Sequence, residues 1–242
     1  MNKAEASRRI EALKKIINRH RYEYHVLDTQ TISDAALDSL KKELFDLEIQ
    51  YPELITEDSP TQRIAGKPLP EFTKVRHKTR MNSLTDAFSE QDMAGWLKRL
   101  TTYLGLEPKE FYADLKMDGL AVELIYRDGL LVQASTRGDG EVGEDVTQNI
   151  RTIESIPLRL STPSVIASKA KQSSLDRHGV PRDDKQEIII RGEVFLTKQE
   201  FERINKEQRA KGEKEYANPR NVAAGSIRQL DPLVAAARKL NF

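Results

Sequence analysis

The sequence predicts an α+β chain in which a small helical region precedes an antiparallel-sheet domain. Two amphipathic helical stripes occupy residues 1–50. Further along, β-branched runs are joined by the hairpin signal Asp128-Gly129. Helices fall between the strands at irregular spacing, which suits antiparallel pairing better than the regular alternation of a parallel sheet. No glycine-rich phosphate fingerprint and no internal repeat is visible.

In the first helix Ala6, Ile10, Leu13 and Ile17 recur at helical spacing among charged residues, and Tyr24 continues the stripe, so one face is expected to be buried. A second helix starts at Ser33, a capping residue, with Asp34 placed well against the positive end of the helix dipole. Leu37, Leu40, Leu44 and Leu47 carry its apolar side to a stop at Pro52, and helices this short pack as a hairpin. Pro52, Pro60, Gly66, Pro68 and Pro70 punctuate a stretch without periodicity, which reads as a linker. The boundary is placed at Lys67, giving a helical domain over 1–67 and a second domain over 68–242.

A third helix over 89–104 opens on the capping box of Ser89 and Asp92, with Met93, Trp96, Leu97, Leu100 and Leu104 on its apolar side. Strands are expected over 111–116, 120–126, 130–136 and 187–196. Thr197 with Glu200 opens another helix that Gly212 closes, and Asn218-Pro219 reads as an N-cap followed by proline at the first helical position. Residues 161–186 are polar, basic in their first half and without apolar period, which predicts a mobile surface loop inserted in the second domain.

Hydrophobic residues make up 38% of the 242, enough for ordinary buried cores. Lys and Arg total 39 against 38 for Asp and Glu, so a net charge of +1 offers no bulk attraction to a polyanion, and any nucleic-acid surface must be a local patch. The lack of cysteine excludes disulfides, thiolate zinc sites and cysteine nucleophiles. The first residues are amphipathic rather than a charged tip before an apolar run, and no stretch approaches a membrane span. A cytoplasmic location with no membrane partner is the expectation.

Chemistry concentrates at Asp114-Leu115-Lys116-Met117-Asp118-Gly119. In strand geometry Asp114, Lys116 and Asp118 project to one side. Carboxylates beside a lysine keep its amine protonated, so attack by Lys116 calls for compensating positive charge from a metal ion or arginines. Taken alone, so short a motif fits an exposed salt-bridge ladder better. Its neighbourhood reverses that reading. Ser135-Thr136-Arg137-Gly138-Asp139-Gly140 follows, then Gly143-Glu144-Asp145-Val146-Thr147 and Arg191-Gly192-Glu193-Val194-Phe195. Ala217-Asn218-Pro219-Arg220-Asn221, Ala224-Gly225-Ser226 and Arg228-Gln229-Leu230-Asp231 complete the series. In this order the motifs resemble the nucleotidyltransferase domain, an ATP-grasp-like ligase fold, of bacterial NAD-dependent DNA ligases. Tyr24-His25 followed by Asp34 and Asp38, on two helices, resembles the small domain found only in the NAD-dependent enzymes.

The resemblance implies an enzyme, with NAD and Mg2+ as cofactors and nicked duplex DNA as partner. Lys116 would attack the α-phosphorus of NAD, releasing nicotinamide mononucleotide and retaining AMP as a phosphoramidate. AMP would then pass to the 5′-phosphate of a nick and be displaced by the 3′-hydroxyl, as replication and repair require. By matching positions, Asp118 joins Lys116 as catalytic and orients ribose or metal, while Ser83, Leu84, Asp114, Arg137 and Glu193 bind the nucleotide. Glu193 would also meet a hydrated metal, with no direct metal ligand implied. Arg220 and Arg228 would hold phosphate or the DNA backbone. In the small domain, Tyr24 and His25 offer a ring face and a ring donor for nicotinamide mononucleotide, and Asp34 and Asp38 accept from ribose hydroxyls.

Two positions depart from the family. Leu37 stands where tyrosine is usual and cannot stack or donate, and Asp114 stands where glutamate is usual and reaches less far. The family's domain also continues past the position of Phe242, so the resemblance implies an amino-terminal, truncated ligase. Two other readings stand beside that one: a non-catalytic NAD-binding module, and one half of a split ligase completed by a complementary fragment.

Overall fold

A computed structural model describes residues 1–25, 27, 29–64, 69–160 and 187–242, without the side chains of His25, Asp34 and Ile64. The expected boundary at Lys67 and the expected loop over 161–186 therefore lie outside the described residues.

The first two helices are α1 (Lys3–His25) and α2 (Asp34–Gln50), with the Ser33 side chain accepting from the Ala36 amide as a cap. They pack as the predicted hairpin around Ile10, Leu13, Ile17, Leu44 and Leu47. Leu37 is half-buried against that cluster, as its place in the apolar stripe requires. Tyr24 is 46% exposed, with its ring centroid 6.0 Å from that of the buried His20 one turn earlier. His20 turns its Nδ1 to the Thr31 hydroxyl at 3.2 Å.

The proline-punctuated stretch after α2 is a packed connection rather than a free spacer. It forms 3-10 turns at Pro52–Leu54 and Pro60–Ile64. Its polar groups bind inward: the Ser59 hydroxyl donates to the buried Glu48 carboxylate at 2.6 Å, and Thr61 donates to the other oxygen. Asp58 lies 3.2 Å from Lys14 of α1 and also pairs with Arg159, tying the hairpin to the chain beyond it. Burial alone would raise the Asp58 carboxyl, but the Thr56 hydroxyl, Arg159 and Lys14 outweigh it and hold the group well below the usual carboxylate range.

A depressed folded-state value means that Asp58 contributes stability above its ordinary titration near 3.8, and that this stability is lost as pH falls through the lower folded value. Asp58→Asn is expected to lower stability at neutral pH by about 1–2 kcal/mol. The gap from the parent should close progressively below about pH 4. Urea melts at stepped pH check this, and a gap that stays constant down to acid pH refutes it.

Beyond the connection, β1 (Lys74–Arg76) precedes α3 (Glu90–Leu104), β2 (Leu120–Arg127), β3 (Leu130–Thr136), β4 (Val142–Glu144) and α4 (Thr147–Arg151). Then come β5 (Glu187–Val194), α5 (Lys198–Ala210), α6 (Pro219–Ile227) and α7 (Pro232–Ala236). β2 lies between β3 and β5 in an antiparallel sheet, and β1 pairs antiparallel with β4. Asp128 and Gly129 both take positive φ, 51° and 78°, which gives the β2–β3 hairpin the turn whose twist matches its strands. Val122, Leu124 and Tyr126 of β2 centre a core closed by Ile150, Ile204 and Ile227 from the helices. Burying such a side chain contributes about 1.5–3 kcal/mol each.

The expected caps form: Ser89, Thr197 and Asn218 each accept from the amide three residues on. Two expectations fail. Residues 111–116 are not a strand, because none of the described strands pairs with them, and an unpaired strand leaves its backbone groups to water. Nor is the apolar side of α3 buried: Trp96 is 40% exposed and meets the Phe111 ring at 5.6 Å, and the helix has no buried residue. Capping and periodicity specify a helix, not what covers it. Among the described residues no helix is long and apolar enough to cross a membrane.

Candidate active site

An open cleft of about 930 Å³ lies over one end of the sheet. Its floor comes from the first residues of β2 and from Gly192 and Glu193 of β5, and its walls from the 81–84 segment, the turn after β3 and β4. Lys116 lies on the approach to β2 and lines this cleft, together with Ser83, Leu84, Arg137, Glu193, Arg220 and Arg228. The structure thus brings together residues separated by more than a hundred positions. Gly119 makes the approach possible: a Cβ there would lie 2.0 Å from the Val194 carbonyl oxygen and 3.1 Å from Glu193 Cγ, so only glycine lets the Lys116 segment pass so near β5.

The charges around Lys116 are arranged differently from the strand expectation. Asp118 faces Arg220 at 3.4 Å, and Asp114 folds back to accept from the Leu115 amide at 2.8 Å. Among the described residues Lys116 forms no ion pair, so the two flanking carboxylates do not claim its amine. Without a paired strand the alternation that would place all three side chains on one face is absent. Asp114 and Asp118 are exposed and line no part of the cleft, although Asp118 reaches it through Arg220.

Arg137 follows β3 and is fixed at both ends. Its backbone amide donates to the Ala121 carbonyl at 3.0 Å, and its guanidinium donates to the Ser83 hydroxyl at 2.8 Å. Two residues singled out from separate motifs therefore touch. Arg228 donates to Glu144 at 2.8 and 3.2 Å, and Lys74 stands on the same carboxylate. Hydrogen bonding from Arg228, ahead of the opposing effect of burial and the help of Lys74, holds the Glu144 carboxyl below its ordinary value. Arg228 is thus held by a carboxylate of the cleft wall, whereas Arg137 meets the neutral Ser83 hydroxyl and Arg220 the exposed Asp118.

The small-domain residues do not join this constellation. Tyr24 and Asp38 sit on the helical hairpin, exposed, and line no part of the cleft. The side chains of His25 and Asp34 lie outside the described residues. Among the described residues no group of three or more histidine, aspartate and glutamate side chains could hold a metal ion. Of the two carboxylates that line the cleft, Glu144 is taken up by Arg228 and Lys74, and Glu193 is left to face the water shell that a divalent ion carried on phosphate oxygens would bring.

Sequence reasoning missed the buried polar pair behind the cleft, His77 and Glu123, and gave no role to Arg191, which closes on it. Glu123 carried a usable signal, since a carboxylate inside the apolar run of β2 demands a partner.

Family comparisons cover nearly all of the chain. Residues 3–65 match the model described as a DNA ligase-like, N-terminal NAD+-binding domain. Residues 69–171 and 174–242 match the model described as an NAD-dependent DNA ligase adenylation domain. Proteins named DNA ligase align over comparable lengths. The one from Syntrophomonas wolfei is 47% identical over 98% of this chain and 32% of its own length. That from Thermomicrobium roseum is 46% identical over 98% of this chain and 32% of itself. For Chloroflexus aggregans the figures are 48%, 100% and 34%. The chain spans about a third of the length of these relatives.

Proposed function

The chain belongs to the NAD-dependent DNA ligase family, and we propose that its cleft carries out the family's first step, transfer of AMP from NAD to Lys116. The observation that carries this reading is the convergence of Lys116, Ser83, Arg137, Glu193 and Arg220 on one cleft from five separate segments of the sequence. The neutral Lys116 amine forms a bond to the α-phosphorus as the bond to the nicotinamide mononucleotide oxygen breaks, the departing phosphate keeps that electron pair, and the nitrogen releases one proton to solvent to become a phosphoramidate. Phosphoryl transfer asks chiefly for positioning and charge neutralisation. Arg137, held by Ser83 and the sheet, and Arg220 supply positive charge beside the lysine. Mg2+ bound on the phosphates would add to that charge, with Glu193 or Asp118 placed to meet its water shell.

Division into a helical domain over 1–67 and an adenylation domain over 68–242 belongs to the same reading. Tyr24, His25, Asp34 and Asp38 are assigned to the nicotinamide mononucleotide half of NAD. Nicked duplex DNA is the proposed acceptor of the AMP, in the cytoplasm. Sealing the nick calls on groups in the other two thirds of the relatives' length, in one polypeptide or from a complementary ligase fragment.

Incubation with NAD labelled in the adenylate tests the first step. Label that survives denaturation and maps to the Lys116 peptide is expected, with one equivalent of nicotinamide mononucleotide released. Reversible binding without covalent label overturns the catalytic reading in favour of an NAD-binding module.

A further inference from the structure

Behind the cleft, the buried side chains of His77 and Glu123 meet the partly exposed guanidinium of Arg191. The His77 ring and the Glu123 carboxylate are both fully buried, with Nδ1 3.0 Å from Oε1. Arg191 closes the other side of Glu123, donating to Oε2 at 2.8 Å. The set is anchored by the sheet, because Glu123 of β2 and Arg191 of β5 are directly opposite in the register. It also reaches out of the sheet. His77 Nε2 lies 3.2 Å from the Arg137 carbonyl oxygen, which already accepts from the Gly140 amide at 2.9 Å. The Arg191 guanidinium donates to the Arg80 carbonyl at 3.1 Å and to the Thr79 hydroxyl at 2.8 Å. His77 and Arg191 therefore each bond a loop that leads into a wall of the cleft, and Glu123 joins the two.

The chemistry of the acceptors fixes the roles. A carbonyl oxygen cannot donate, so the contact between His77 Nε2 and the Arg137 carbonyl has the ring as its donor, and Glu123 Oε2 accepts from Arg191. Arg191 lines the cleft, yet its donors are spent on Glu123, Thr79 and Arg80, which makes it a brace rather than a phosphate ligand. We infer that His77, Glu123 and Arg191 are positioning residues: they lock the loop carrying Arg137 against the 79–84 segment carrying Ser83, so that the Arg137 guanidinium is preset for the nucleotide phosphate. This rests on the reading of the cleft as an NAD site. Preset donors lower the cost of binding because no reorganisation is left to be done when the ligand arrives.

Two substitutions separate positioning from simple core filling. In His77→Asn the amide stands near the place of Nδ1, so the Glu123 contact is kept and the Arg137 carbonyl loses its donor. In His77→Gln the amide reaches the place of Nε2, so the Arg137 contact is kept and a buried carboxylate loses one partner. Positioning predicts opposite orders in two measurements. His77→Asn should raise the NAD concentration for half-maximal labelling of Lys116 by about fivefold, the worth of one hydrogen bond, with the rate at saturation little changed. It should melt near the parent temperature. His77→Gln should label with near-parent NAD dependence and melt lower. Labelling that simply follows melting temperature, with Gln worse than Asn in both, overturns the proposal.

Amide exchange keeps this test independent of the reaction. Faster exchange at Gly140, whose amide shares the Arg137 carbonyl, is expected in His77→Asn and not in His77→Gln, and equal exchange in both overturns the proposal even if the parent chain takes no label. Absence of label in the parent would overturn the NAD-transfer reading alone. Should either His77 variant fail to fold, Glu123→Gln keeps the side-chain shape while weakening both its contacts. Exchange at Gly140 faster than in the parent then supports the brace, and unchanged exchange overturns it.

Discussion

Lys116→Ala is expected to lose all covalent adenylate while retaining the fold. The segment around Lys116 is exposed and outside regular structure, so shortening its side chain removes no core contact and no described ion pair. Stability should stay within about 0.5 kcal/mol of the parent, as for surface substitutions generally. The chemical effect is of another order under the proposed reading, in which the Lys116 amine is the atom that bonds to phosphorus; the other lysine lining the cleft, Lys74, is held on Glu144. Lys116→Arg is the sharper control: it keeps the charge, yet a guanidinium does not deprotonate and so cannot attack. Arg137→Ala, by contrast, leaves the nucleophile in place and should slow labelling by roughly a hundredfold, the usual worth of one preset donor to a transferring group. Mass spectrometry of the intact chain after incubation with NAD checks all three. Adduct persisting in Lys116→Ala would assign the reaction to another residue.

Arg63→Met is expected to cause the largest loss of stability, about 3–5 kcal/mol, with a fall in melting temperature of about 10 °C. Arg63 is 4% exposed at its side chain and donates to the carbonyls of Arg151, Ile153 and Ile156 at 3.0, 2.8 and 2.9 Å. It is thus the plug that satisfies the chain leaving α4, and it joins that turn to the end of the packed connection from α2. Its carboxylate support is thin. Glu154 lies 3.9 Å away and pairs more closely with Arg21. Burial, and then the nearby Arg21 charge, push the Arg63 guanidinium down to about 9 against the pull of Glu154. Exchanging a buried ion for an apolar residue can stabilise a protein when its whole ion-pair network is replaced. Here the partners are backbone carbonyls that remain after the exchange, and each buried carbonyl stripped of its donor costs about 1–3 kcal/mol. The loss of acceptor satisfaction therefore outweighs the relief of desolvation. A melting temperature within about 2 °C of the parent would show that the two effects cancel.

Arg63 could not be read from the sequence, and of the brace behind the cleft only Glu123, a carboxylate inside an apolar run, carried a signal. Arg63 sits in a proline-punctuated stretch whose lack of periodicity marks a linker, and its partners lie about ninety residues away. His77 has no local pattern to distinguish it from a surface histidine. β1, β4, α4 and α7 were equally illegible, because elements of three to five residues exist only through what they pack against. The helices over 3–25, 34–50 and 198–210 and the β2–β3 hairpin were legible, since each combines apolar periodicity with a local start or turn signal. The candidate residues were legible as motifs in order, but their order says nothing of distance.

By itself, then, the sequence determined what depends on neighbours along the chain: the helix caps, the Asp128-Gly129 turn, the alternation of helices with strands and the motif series that places the chain among its relatives. Tertiary structure alone decided which carboxylates stand beside Lys116. It moved Asp118 onto Arg220 and turned Asp114 back on its own backbone, leaving the lysine out of the ladder that strand alternation would have built. The reason is physical. A strand is specified by its pairing partner as much as by its own residues, and residues 111–116 have the composition of a strand without a described partner to fix the direction of their side chains.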